Sequence, residues 1–185
     1  MRLICLIFFL ILSATSSHAG EIKVQSIETQ WGALQLTVNP QYSISTSEVI
    51  DEAINSGIVL SLIVKLHSHK TKDFWFDNTL DKQQQTLEIR YFSLSGQYQL
   101  HNIENDERNS FVSLSDLWQH IERRTTFKLP LSLAQEADYF STRLRLDAGA
   151  LPSAMQLPVL LSSDWRFKSD WFESQIVKPL SAQRP

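Results

Sequence analysis

The chain has 185 residues, 43% of them hydrophobic, with 17 Lys+Arg against 20 Asp+Glu and a formal net charge of −3. That length suits one ordinary domain and suffices to bury a core without metals or disulfides. The mild acidity argues against a nucleic-acid partner, which favours a strongly basic surface, and a single cysteine excludes any internal disulfide.

The N-terminus reads as a secretory signal. Arg2 supplies a positive charge, Leu3 to Leu12 are unbroken apolar, and Ser13 to Ala19 turn small and polar, ending in Ser17-His18-Ala19 before Gly20. Small residues one and three positions before a scissile bond are what signal peptidase accepts, so cleavage after Ala19 is predicted. The apolar run is far shorter than the roughly 20 residues a spanning helix needs. Cys5 lies inside that run, too early to follow a lipobox. Its removal leaves no cysteine, hence no thiolate metal site and no cysteine nucleophile. No later apolar run approaches bilayer length, so no transmembrane span is expected in the mature chain, which is read as one β-rich periplasmic domain over 20–177 with a frayed tail at 178–185.

In chain order, Ile22 to Thr29 is a marginal first strand, and Trp31-Gly32 breaks it. Leu34, Leu36 and Val38 alternate with Gln35, Thr37 and Asn39 as a half-buried strand, ended by Asn39-Pro40. Ser45 with Glu48 forms a capping-box pattern, and Val49, Ile50, Ala53 and Ile54 make a helical stripe, predicting a helix over 47–56 closed by Gly57. Leu60, Leu62, Val64 and Leu66 then point one way, and Ser61, Lys65, His67 and His69 the other. A polar turn at 70–73 leads to Phe74-Trp75-Phe76. Strands at Thr86–Phe92 and Gln97–Ile103, joined by turns at 81–85 and 93–96, form a meander. Residues 102–109 read as an exposed charged loop tip.

Ser113 with Asp116 opens a second helix, in which Leu114, Leu117, Trp118 and Ile121 fall at amphipathic spacing; Arg123 and Arg124 suit its negative end. Beyond Pro130, Phe140, Leu144 and Leu146 alternate with Ser141, Arg143 and Arg145. Leu151-Pro152 and Leu157-Pro158 break the next stretch into short pieces. Trp165, Phe167, Ser169 and Trp171 alternate with Arg166, Lys168 and Asp170 as a last strand. About eight or nine strands joined mainly by tight turns, with two short helices, predict a β-rich α+β fold built as an antiparallel β-sandwich-like domain.

Two stretches carry a family resemblance. One runs from Phe74 to Leu100, with Trp75-x-Asp77 and Arg90-Tyr91 before Leu94 and Tyr98. The other is Leu146-Asp147-x-x-x-Leu151-Pro152, followed by Asp164-Trp165 and Ser169-x-Trp171. Together they resemble an exported family of Gram-negative bacteria, a domain of unknown function (DUF4390). The resemblance implies a periplasmic location, one domain and no assigned reaction. It also implies a genetic association with a membrane sensor histidine kinase of nitrogen regulation.

Four groups of residues are candidates for function, each with a plainer reading beside it. His67 and His69 share a strand face and could reach one metal ion, with His101 as a further ligand; beside Lys65 and Lys70 they equally form a solvated face. Five tryptophans, Trp31, Trp75, Trp118, Trp165 and Trp171, could stack sugar rings or fill a core. Trp118 belongs to the core by its helical position, leaving Trp75 and Trp171 as the open cases. Arg143 and Arg145 on one strand, and Arg166 and Lys168 on another, become a basic patch for an acidic partner or lipid headgroups if those strands are neighbours; the plainer reading is charge placed to deter aggregation. Asp77, Asp81, Glu104, Asp106 and Asp147 are the acid/base candidates, but no spacing pairs them, and Asp147 fits a turn cap before Gly149. No Gly-x-Ser-x-Gly, His-Glu-x-x-His, phosphate-loop or calcium-loop pattern is present, so no cofactor is expected.

The reading that follows is a non-enzymatic accessory module that binds an envelope or inner-membrane protein, a sensor histidine kinase among the candidates. The alternative is a binding domain for cell-wall glycan or another small envelope ligand. A hydrolase without recognisable motif is third.

Overall fold

The computed structural model describes residues 20–72 and 78–179. The expected signal peptide at 1–19, Trp75 and Asp77, and the end of the tail from 180 lie outside the described residues.

Among these residues nine strands form two antiparallel sheets. The smaller holds β1 (Glu21–Trp31), β2 (Gln35–Ser45) and β7 (Phe127–Pro130) in that order. The larger has the order β6-β5-β4-β3-β8-β9, from β3 (Leu60–Lys70), β4 (Asn78–Phe92), β5 (Gln97–Asn102), β6 (Glu107–Phe111), β8 (Tyr139–Leu146) and β9 (Phe172–Gln175). The sandwich-like β-rich expectation is met, with the predicted helices at α1 (Glu48–Asn55) and α2 (Leu114–Arg124).

The central strand β3 shows why the chain folds this way. Leu60, Leu62, Val64 and Leu66 are buried on its inner face. They sit beside Leu87 and Ile89 of β4 and Phe140, Leu144 and Leu146 of β8, while the outer row runs Ser61, Ile63, Lys65, His67 and His69 and is polar from Lys65 onward. The smaller sheet covers that face with Leu36, Val38 and Tyr42. One polar group lies between them: fully buried Thr142 donates its hydroxyl hydrogen to Lys65 O (2.9 Å) and so accepts from the Tyr42 hydroxyl (3.3 Å). Burial drives the Tyr42 phenol pKa upward, as desolvation of a phenolate must.

Both predicted helices are capped. Ser113 Oγ accepts from Asp116 N (3.1 Å), as the sequence suggested. The cap of α1 is Ser47 rather than Ser45, accepting from Ile50 N (3.3 Å) and donating to Asp164 O. Gly57 has φ +85, the left-handed conformation expected after a helix end.

Several expectations are corrected. Pro40 does not end β2. It sits buried inside the strand opposite Ile27, because β7 pairs only with Gln35–Val38. Past that point β2 has a strand on one side alone, and a residue without N–H is accepted; α2 lies along the freed edge, where Glu122 Oε1 takes the Ile44 N–H (2.6 Å). Residues 81–85 are strand and not turn. Their inward glutamines replace apolar side chains, Gln83 Nε2 donating to Lys128 O of β7 (3.2 Å) and Gln85 Nε2 to Thr126 O just before it (2.8 Å). The loop tip at 102–109 narrows to a turn at 103–106, and Glu107 to Phe111 pair with β5 as β6.

Two further helices appear, α3 (Leu131–Glu136) and α4 (Ser153–Leu161). The second contains Pro158, whose missing N–H leaves Ala154 without its helical donor. The last strand is not at 165–171. A 3-10 turn occupies Ser163–Trp165, a lone bridge joins Arg145 to Lys168, and β9 begins at Phe172. Lys178 is tied down, Nζ lying 3.4 Å from Asp138 Oδ1. No helix among the described residues is long and apolar enough to cross a membrane.

Phe140 is 1% exposed in the centre of the larger sheet, so Phe140→Ala should lower the unfolding free energy by about 3–5 kcal/mol. Ser113→Ala, which removes only a cap, should cost about 1 kcal/mol. Urea denaturation of the two variants measures both.

Candidate partner-binding face

The outer face of the larger sheet collects most of the residues singled out by sequence. Register places Lys65 of β3 directly across from Arg143 of β8, and Arg145 beside Ile63 on one side and Lys168 on the other. Direct partners in an antiparallel pair point to the same face, so Lys65, Arg143, Arg145 and Lys168 form one cationic cluster. The segment carrying Lys168 is held against β8 by Leu146 N–H to Phe167 O and Ser169 N–H to Leu144 O, both 2.8 Å. Buried Ser169 adds a hydroxyl that accepts the Leu144 N–H (3.0 Å). Arg166 is exposed at the end of the 3-10 turn, and no pairing brings it to the cluster.

Trp171 stands over this cluster at 41% exposure. The Arg143 guanidinium carbon lies 5.8 Å from its ring centroid, within cation–π range, and the His67 ring is 4.7 Å away, tilted at 44°. None of Lys65, Lys82, Arg143, Arg145, Arg166 or Lys168 makes an ion pair among the described residues. Arg143 Nε is shielded from solvent and makes no hydrogen bond there. Lys82 joins the face opposite His67; the sequence reading missed it by taking 81–85 as a turn.

The histidines continue the face as a ladder. His67 and His69 have ring centroids 6.0 Å apart, and His69 stacks on Tyr139 at 4.6 Å and 12°. His69 Nε2 lies 2.7 Å from Ser141 Oγ, and Nδ1 lies 3.3 Å from Thr79 Oγ1. Both nitrogens are thus engaged by hydroxyls. His101 is not a third partner: it sits on β5 opposite Glu88, with Nε2 2.7 Å from Asp106 Oδ1. Among the described residues no group of three metal-ligating side chains converges. Burial lowers the His67 pKa, with Lys82, His69 and Lys65 adding to the effect and Asp81 opposing it.

Among the described residues the candidate carboxylates do not meet. Asp81 Oδ2 accepts from Gln83 Nε2 (3.0 Å) in β4. Glu104 takes the Thr86 N–H, and Asp106 bonds His101 and Arg108 in the turn before β6. Asp147 accepts from Gly149 N (3.3 Å), the turn cap expected of it. Trp31, Trp118 and Trp165 are structural: Trp118 and Trp165 are buried, and Trp31 Nε1 donates to Val177 O (3.0 Å).

A two-sheet antiparallel protein with one cationic, tryptophan-bearing outer face is the class these features define. The family model for a domain of unknown function (DUF4390) matches residues 19–175, and the chain belongs to that family. No curated protein and no solved structure matches the chain.

His67 titrates with a definite sign. Its folded pKa lies below the ordinary 6.5, so under about pH 6.5 the unfolded chain takes up a proton that the folded chain refuses. Stability should therefore fall as pH drops from 6.5 toward the folded pKa, and His67→Gln should flatten that part of the curve. Thermal unfolding at pH 7.5 and 5.5, in the two proteins, reads the difference.

Proposed function

We propose that this chain is a non-enzymatic periplasmic binding module whose outer sheet face docks an acidic segment of an envelope or inner-membrane protein. The extracytoplasmic part of a sensor histidine kinase is one candidate. The observation that carries this reading is the cross-strand placement of like charges. Lys65 faces Arg143 and Arg145 faces Lys168, with no carboxylate paired to any of them among the described residues. Like charges directly opposite on a sheet are destabilising, and a short acidic segment laid across β3 and β8 relieves them all at once. Export with cleavage after Ala19 places the module where such a partner would be met.

Glycan binding is the second reading, favoured by the partial exposure of Trp171. Its ring is already contacted by Arg143 and His67, which leaves less free indole surface for a sugar.

Crosslinking in the native host, with tagged wild type and the Arg143→Glu/Arg145→Glu variant, tests the proposal. Wild type should capture a defined envelope protein through an acidic segment, and the folded variant should lose it by tenfold or more (~1.4 kcal/mol). Equal capture by both proteins, or none by the wild type, defeats the reading. In the free protein, Lys65→Gln should raise stability by about 0.2–1 kcal/mol by removing one repulsive pair, read in urea, while weakening capture.

A further inference from the structure

The opposite side of the same sheet carries a second feature, built from residues that the strand register places on its core-facing rows. On β4, β5 and β6 the core-facing rows run Ile89–Leu100–Asn109 and then Leu87–Asn102–Glu107, with Gln85 next along β4. Toward this end of the sheet the inward positions therefore change from aliphatic to amide and carboxylate. The C-terminal half of α2 and the start of β7 do not close over them. A groove of about 330 Å³ remains, with Leu87, Leu100 and Ile121 as its apolar floor and His120, Arg124 and Lys128 on the facing wall.

Its polar groups are fixed in place. Gln85 Nε2 donates to Thr126 O (2.8 Å), and Asn102 Nδ2 donates to Gln85 Oε1 (3.1 Å). Glu107 has both oxygens engaged, by Asn109 Nδ2 (3.0 Å) and Asn105 Nδ2 (3.3 Å). Arg124 and Lys128 make no ion pair among the described residues. The His120 ring meets Phe111 edge-on at 5.1 Å, and burial lowers its pKa, with Arg124 adding to the effect. Inward polar side chains ordinarily weaken a sheet's core face. Here they converge on an open, apolar-floored space with two unpaired cations beside them.

We infer that this groove is a binding site for a small hydroxylated ligand carrying one carboxylate, of the size of a sugar acid. The amides suit hydroxyl groups, which both donate and accept. The aliphatic floor suits the C–H face of a ring, and Arg124 with Lys128 suits a single negative charge. The volume lies near the lower end of the roughly 300–1,000 Å³ typical of ligand sites, which fits a single ring. The site is on the far side of the sheet from Arg143 and Arg145, so it stands or falls apart from the docking face.

The test is titration of the folded protein with glucuronate and with glucose, by calorimetry and by amide chemical shifts. Glucuronate should bind saturably and shift the amides of Asn102, Asn109 and His120. Glucose, which lacks the carboxylate, should bind at least about tenfold more weakly, the order of one charge-assisted hydrogen bond. Arg124→Gln and Lys128→Gln should each weaken glucuronate by about tenfold, while Arg145→Gln on the other face leaves it unchanged. The inference is overturned by the absence of a saturable shift in this groove, by equal affinity for the two sugars, or by a response confined to the outer face.

Discussion

Everything on both faces depends on the register of β3 between β4 and β8. With a side-chain period of two, a slip of one residue would turn Leu60, Leu62, Val64 and Leu66 to solvent and drive Lys65, His67 and His69 into the core. The aliphatic row cannot tolerate that exchange, so the pairing is specified without any special turn. The cations on the outer face are placed as a by-product of burying the inner one. Arg143 meets Lys65 because Leu144 must meet Val64.

The two faces then differ in what disturbs them. The outer face carries charge that ordinary packing would disperse; instead three segments bring it together, and Trp171 covers part of the Arg143 guanidinium. The inner face carries amides where aliphatic residues would pack, at the wing that the three-stranded sheet leaves to α2. Elsewhere the same substitution is put to structural use, for Gln83 reaches from β4 to a backbone carbonyl of the smaller sheet.

Much of this was legible in the sequence where one face is buried and the chain alternates cleanly: β3, β5, β8, and the amphipathic α2. The neighbouring of Arg143 and Arg145 with Lys168 was foreseen as a condition and is met, though by an isolated bridge and not a strand. The failures share a cause. Asp81–Gln85 and Glu107–Phe111 contain almost no aliphatic residues, so periodicity is silent there; only pairing with β3 and β5 makes them strands. The groove was invisible for the same reason, since its β6 side, with Asn105, Glu107 and Asn109, was read as a loop tip. Pro40 and Pro158 misled in the other direction. Each was taken as a breaker, whereas Pro40 sits on a strand edge that needs no N–H and α4 runs through Pro158 at the loss of one helical hydrogen bond.

The position of β3 also has a consequence in time. Its partner on one side, β4, follows within a short connection. Its partner on the other side comes much later: 72 residues separate His69 from Ser141, whose side chains end up in hydrogen-bond contact. Closing so long a loop is entropically slow. Until it happens, the β3 edge presents an unpaired, leucine-rich strand, the kind of surface on which chains associate. A chain emerging from its N-terminus spends that interval with its most adhesive element made and its cover not yet delivered.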